Sequence, residues 1–301
     1  MCVCAYVQTH KTNRQPTFNQ QKTRNENRLT RLDNFESLSG HFHVVGSSIQ
    51  HKESTDSTMN DAWELATDQG AHGAVVVADH QAQGRGRHAR QWVSARTDDI
   101  LVSVVMKVRP AIAPELLMIS SLAVLNVAKL YGVDGSIKWP NDVQVRGNKI
   151  AGVIAESRTV IDSDAGDSES LIPNLLNVVI GIGLNVNSMH SDAADAGFTA
   201  TSLKSELGHA VDRGEVFNRL LSSLDILYRR IDSGESVVSE WASRITTIGR
   251  RVTVADVVNP DRDYISGTAV DIDPLGRLIV RDESGRDWPV SGGEVTVLDI
   301  E

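Results

Sequence analysis

The sequence predicts a mixed α/β body followed by a small C-terminal β-barrel. Between about residues 40 and 246, short apolar runs of strand type alternate with segments whose apolar residues recur at helical spacing. From about residue 248 the texture changes to short β-rich runs separated by Gly, Asp and Pro. A third observation bounds the class. With 301 residues, 41% hydrophobic and 23% charged, the chain can bury a sizeable core and divide into two domains.

Taken in order, residues 1–39 read as a disordered basic and polar tail. Up to residue 32, Lys11, Arg14, Lys22, Arg24, Arg28 and Arg31 stand against a single acid, Glu26, among Gln, Asn and Thr. A transit-like segment and a misassigned start codon are the alternatives. The α/β body is expected over 40–247. "DSTMNDAWELATDQG" offers Asp56 or Ser57 as a helix cap, Met59, Ala62, Trp63 and Ala66 at helical spacing, and Gly70 as the stop. "AVVVAD" is a short buried strand. In "ILVSVVMKV", Ile100, Val102, Val104, Met106 and Val108 alternate and give one apolar face. A helix runs from Pro114 to Gly132. "SIKWPNDVQV" and "KIAGVIAES" flank "RGN" as a hairpin. The acidic stretch "IDSDAGDSESLIPN" reads as an exposed loop leading to the strand "LLNVVIGIGLNVN". Phe217, Leu220, Leu221, Leu224, Leu227, Tyr228 and Ile231 keep a 3.6-residue period, an amphipathic helix, and a second helix follows around Trp241. The barrel is expected over 248–301.

Composition removes several function classes. A formal net charge of −9 argues against generic nucleic-acid binding. Two cysteines, Cys2 and Cys4, leave no disulfide framework for the body, and no Cys/His spacing suits zinc. That cysteine usage fits a reducing cytoplasm. No apolar run reaches membrane-spanning length, and there is no signal-peptide core or GxxxxGK[ST] phosphate loop.

The segment from Ala82 to Gln91 has no large apolar side chain, yet it lies between two strands of buried character. It carries Arg85, Arg87 and Arg90 with Gly84 and Gly86. It is either a solvated loop or an anion clamp, since glycines admit a ligand to the backbone and guanidinium groups grip carboxylate or phosphate. In "KWPND", Pro140 holds Trp139 extended. Lys138 is either the ion-pair partner of Asp142 or a ligand for an anion. Lys149, after the hairpin turn, is either a solvated turn lysine or a second such ligand. "IGIGLNVN" alternates apolar residues with glycine, which makes either a tightly packed strand or a shallow trough. Trp92 is an anchor for the loop or an ordinary core residue.

Four segments in order resemble the biotin–protein ligases: "DSTMNDA", "QGRGRHARQW", "KWPND" followed by "KIAGVIAE", and "IGIGLNVN", with a C-terminal "GGEV" strand. The resemblance spans about residues 50 to 300. It implies a class II synthetase-like catalytic domain with a mixed sheet, an SH3-like barrel, and the single-function type without an N-terminal DNA-binding domain. It further implies that ATP, with Mg²⁺ on its phosphates and no protein metal ligand, activates biotin as biotinyl-5′-adenylate. A lysine of a biotin carboxyl carrier protein then displaces AMP. The catalytic group so implied is Arg85, Lys138, Asp142 and Lys149. Biotin falls to Ser57, Thr58, Met59, Gln81, Gly84, Arg85, Gly86, Arg87, Lys149 and Gly152. The nucleotide falls to Arg87, Arg90, Trp92, Lys138, Asn141, Gly181, Gly183 and Asn185.

One position departs from the family pattern. Ala89 stands where the family has glycine, and if that position needs positive φ the substitution costs ~1–2 kcal/mol. His88 beside it reads as an exposed, solvated histidine. Two other functions stay open at this level. One is a lipoate or octanoate ligase on the same fold, and the other a biotin-sensing repressor. Neither a nucleic acid nor a membrane is expected as a partner, and a homodimer is left open.

Overall fold

The computed structural model of the protein describes residues 42–87, 90–94, 97–159, 175–189, 199–255 and 264–298. The tail 1–39, the acidic stretch 160–174, His88 and Ala89 lie outside the described residues.

The body is a mixed sheet of seven strands: β1 (Ile49–Lys52), β2 (Val75–Ala78), β3 (Ile100–Val108), β4 (Ser136–Lys138), β5 (Asp142–Val145), β6 (Asn148–Thr159) and β7 (Leu176–Leu184). Their order across the sheet is β1-β2-β3-β7-β6-β5-β4. Only β1 and β2 pair in parallel; the other neighbours are antiparallel. Three main helices flank it: α1 (Thr58–Leu65), α2 (Glu115–Leu130) and, after the short α3 (Leu203–Leu207), the long α4 (Arg213–Asp232). α5 (Val238–Ala242) carries the buried Trp241. The chain's periodicities explain these elements. α4 buries Phe217, Leu220, Leu221, Leu224, Leu227, Tyr228 and Ile231, the stripe read from the sequence. α2 starts after Pro114 and closes into Gly132 at φ +78, a conformation suited to glycine.

Three details differ from the sequence reading. β3 is apolar on both faces: its even-numbered residues join the main core while Val105 packs with Met59, Ala62 and Trp63 of α1. A central strand covered on both sides has no solvated face to alternate with. α1 ends at Leu65, well before Gly70, and the chain turns over Ala66–Gly70. Finally, Ser57 sits at the N-cap position without a side-chain cap bond. Gln81 supplies it instead, its Oε1 accepting from the Thr58 N–H at 2.7 Å.

The hairpin β5–β6 turns at Arg146 (φ 50) and Gly147 (φ 83), two positive-φ residues that match the twist of the flanking strands. Its ladder carries a bulge. Val143 faces Ala151, but Gln144 faces Lys149, so β6 holds one residue more than its partner. Ile150 and Ala151 therefore both enter the core, and Lys149 and Gly152, three positions apart, emerge on the same face. Strict alternation would have sent Lys149 inward.

After the body come β8 (Arg251–Ala255), β9 (Ile265–Ile272), β10 (Leu278–Arg281), β11 (Asp287–Val290) and β12 (Glu294–Leu298). They form a separate antiparallel sheet in the order β11-β10-β9-β8-β12. This is the expected C-terminal β-unit. Its apolar residues Val252, Val254, Ala269, Leu278 and Val280 continue the core of the body. The junction is specific: the Trp139 indole N–H donates to the Gly276 carbonyl at 3.0 Å, and Gly276 packs where a Cβ would strike Met118. Among the described residues no helix is long and apolar enough to cross a membrane.

Candidate active site

A cleft lies on the α1 side of the sheet, with β6 and β7 as its floor. Three glycines make room there. At Gly183 a Cβ would sit 2.5 Å from the Trp92 ring, at Gly152 it would meet Trp92 and the Lys149 side chain, and at Gly181 it would meet the Met59 sulfur at 2.8 Å. The alternating glycines are therefore a trough, and the Trp92 indole lies over it.

One wall is the hairpin. Lys149 Nζ is 2.7 Å from Asp142 Oδ1 and lies 5.5 Å from the centroid of the Trp92 ring. Asp142 thus pairs with Lys149, not with Lys138, although Lys138 faces Asp142 across the β4–β5 ladder. Both Lys138 and Asn141 line the cleft. Asn141 is held by its own amide, which donates to the Val153 carbonyl at 2.8 Å.

The opposite wall is the arginine segment, and its described part is a tight hairpin of its own. Gly86 N–H donates to the Arg90 carbonyl at 2.8 Å, and Trp92 N–H to the Gly84 carbonyl at 2.9 Å. A Cβ on Gly84 would strike the Trp92 carbonyl, so this position requires glycine for close approach. Arg85 reaches Glu156 Oε1 at 2.5 Å and Asn60 Oδ1 at 3.2 Å. Glu156 also accepts from the Trp63 indole at 3.0 Å. Arg87 donates to Asn141 Oδ1 at 3.0 Å and, across to the C-terminal sheet, to the Gly293 carbonyl at 3.1 Å. Gly293 and Val295 close that end of the cleft. At the other end Thr58 and Gln81 line it, joined to each other and to Ser103 by hydrogen bonds of 2.7 to 3.0 Å.

Most residues singled out in the sequence meet here: Thr58, Met59, Gln81, Arg85, Gly86, Arg87, Arg90, Trp92, Lys138, Asn141, Asp142, Lys149, Gly152, Gly181 and Gly183. Ser57, Gly84 and Asn185 do not line it. Ser57 is buried, its hydroxyl without a partner among the described residues. Asn185 is buried behind the floor, where its amide donates to the Thr201 carbonyl at 2.9 Å and ties the end of β7 to the segment after residue 199. The sequence reading missed Glu156, Asn60, Gly293 and Val295. Glu156 was within reach, because it follows Gly152 and Ile154 at even spacing on the cleft face of β6.

A mixed sheet bearing a lysine hairpin, a glycine trough and an arginine segment defines a class, and comparison with known proteins gives the same one. Residues 51–166 match the biotin/lipoate A/B protein ligase family and residues 247–297 the biotin protein ligase C-terminal domain. The chain is 35% identical to the biotin–[acetyl-CoA-carboxylase] ligase of Mycobacterium tuberculosis, covering 75% of this chain and 79% of that protein. It is 30% identical to the bifunctional ligase/repressor of Bacillus spizizenii, covering 80% and 72%. The fold is that of the biotin protein ligase from Aquifex aeolicus in complex with biotin and ATP, with a TM-score of 0.65, 23% identity, and coverage of 83% of this chain and 98% of the other. The chain belongs to the biotin protein ligase family.

Proposed function

We propose that this protein uses ATP to activate biotin as biotinyl-5′-AMP and then passes the biotinyl group to a lysine of a biotin carboxyl carrier protein, in the cytoplasm. Residues 40–247 are the catalytic unit and 248–301 the unit that closes its nucleotide end. The observation that carries the reading is the Lys149–Asp142 pair set opposite Arg87 in one cleft.

The first step brings the biotin carboxylate against a triphosphate. Two like charges ~4 Å apart repel by ~4 kcal/mol at an effective dielectric of 20. Lys149 takes the biotin carboxylate, and Arg87, Arg90 and Lys138 take the phosphates as charge develops. Mg²⁺ held by the phosphates would neutralise further charge there. The neutral ureido head of biotin suits the Thr58–Gln81 end, and Trp92 and the trough take the adenine. Once biotin has drawn Lys149 away, Asp142 is left without its cation. It can then accept a proton from the carrier amine, whose free pKa is ~10.4. The matching C-terminal domain favours biotin over lipoate or octanoate as the acid.

Incubation with ATP, Mg²⁺ and labelled biotin tests the order of steps. Biotin-dependent pyrophosphate release without carrier is expected, followed by label transfer when carrier is added. Release that requires the carrier would reject an adenylate-first mechanism.

A further inference from the structure

Among the described residues the buried charged side chains are Asp79, Asp99, Arg213 and Asp225, and the first three meet at one guanidinium. Arg213 opens α4 with its side chain 0% exposed. Its Nη2 pairs with Asp79 Oδ1, and its Nη1 donates to the Asp99 carbonyl at 3.3 Å. Asp79 directly follows β2 and Asp99 directly precedes β3, so these two residues are the roots of the whole arginine segment. The roots are also joined to each other, since Thr97 N–H donates to the Asp79 carbonyl at 3.0 Å. From β1, His51 Nε2 stands 3.2 Å from Asp79 Oδ2. Asp99 reaches further: its Oδ1 accepts from Val186 N–H at 2.9 Å, just beyond the strand that carries Gly181 and Gly183.

Such a cluster is a poor way to gain stability. Removing charges from water offsets most of their mutual attraction, and well-packed apolar side chains would do as well or better. Burial acts on Arg213 in that sense, lowering its pKa against the pull of Asp79. What an apolar cluster would not supply is direction. A planar fork can hold a carboxylate on one root and a carbonyl on the other at the same time.

We propose that Arg213 is a positioning residue for the reaction. It holds both roots of the segment from His80 to Asp98 and so sets where Arg85 and Arg87 stand relative to Lys149. The claim rests on the function proposed above for its kinetic consequence, but not for its structural one. Arg213 is not among the residues that line the cleft; it acts through Asp79 and Asp99.

Two variants test it, both chosen so that Asp79 is not left as a buried anion without its cation. Arg213→Lys keeps a cation for Asp79 but cannot fork to the Asp99 carbonyl. Arg213→Met with Asp79→Asn removes both charges. Hydrogen exchange is measured first without ligand. Amides of 80–87 and 90–94 are expected to exchange about 10-fold faster in both variants, with α2 unchanged. Biotin-dependent pyrophosphate release is measured next. The rate of that release at saturating biotin is expected to fall ~10- to 100-fold, with the KM for biotin changed less, because a displacement near 1 Å at a reacting group has that weight, while the melting temperature of the double variant at pH 5, where Asp99 is protonated, stays near wild type. Faster exchange spread over all elements, or wild-type exchange and rate in folded variants, would overturn the proposal. If the wild type itself releases no pyrophosphate with biotin, the functional reading fails, and the exchange data still decide whether Arg213 holds the segment.

Discussion

The two walls of the cleft are built in different ways. The β5–β6 hairpin is positioned by a backbone ladder, and its charges are fixed by register: the bulge turns Lys149 into the cleft and the strands bring Asp142 to it. The arginine wall has no long ladder. Its start is tied by backbone bonds between Thr55–Asp56 and residues 80–83; beyond that it is held by its own short turn and by side-chain bonds to Glu156, Asn60, Asn141 and the Gly293 carbonyl. A ligand anion can replace those side-chain bonds one by one, whereas it cannot replace a ladder. The fixed wall therefore suits recognition of the acid, and the exchangeable wall suits charge that appears during reaction.

Breaking the fixed wall should cost most. In Lys149→Ala, losing a charge-assisted hydrogen bond worth ~1.5–3 kcal/mol lowers biotin affinity ~10- to 150-fold by isothermal titration. Single-turnover pyrophosphate release should fall further, because the transition state concentrates charge. Near-normal affinity and rate in a folded protein would mean that Lys149 does not hold the biotin carboxylate.

A second effect tests the root of the arginine wall. Burial pushes the Asp99 carboxyl up to about 6, although the N–H groups of Val186 and Ser188 oppose it. The folded value lies above the ordinary one, so the folded chain holds a proton that the unfolded chain has released. Stability from this group is present at low pH and lost as pH rises through about 6, by up to roughly 3 kcal/mol. Asp99→Asn keeps an acceptor for both N–H groups without the charge. Urea midpoints of variant and wild type should differ most at pH 7.5 and converge toward pH 4; a gap independent of pH would contradict this.

Weakening the exchangeable wall at one bond is milder. Arg85→Ala should let adenylate escape ~10-fold faster, about 1.4 kcal/mol, measured by chase with unlabelled biotin. Smallest is Gly183→Ala. Its Cβ would crowd the Trp92 ring, but that side chain is only partly buried and can shift, so ATP affinity should fall ~3- to 5-fold, under 1 kcal/mol. No change would mean that Trp92 and the trough do not share the adenine.

Residues that signal through local chemistry were legible in the sequence. Pro114 and Gly132 bracket α2, Arg146-Gly147 turns the hairpin, and the ordered motifs meet in one cleft. What escaped depends on neighbours distant in the chain. The second buried face of β3 follows from its central place in the sheet. The outward turn of Lys149 follows from a bulge, which alternation alone cannot express. Gln81 caps a helix 23 positions away, and a fully buried Arg213 looks like any helix-surface arginine until Asp79 and Asp99 are placed around it.

The bond from Arg87 to the Gly293 carbonyl has a consequence for how the protein is made. Its partners are 206 positions apart. At a translation rate of ~5–20 residues per second, Arg87 leaves the peptidyl-transfer centre roughly 10 to 40 s before Gly293 exists. The catalytic sheet can assemble during that interval, but the arginine wall lacks its last attachment until β12 begins to be made. A chain that has not yet reached Gly293 thus carries an unfinished cleft.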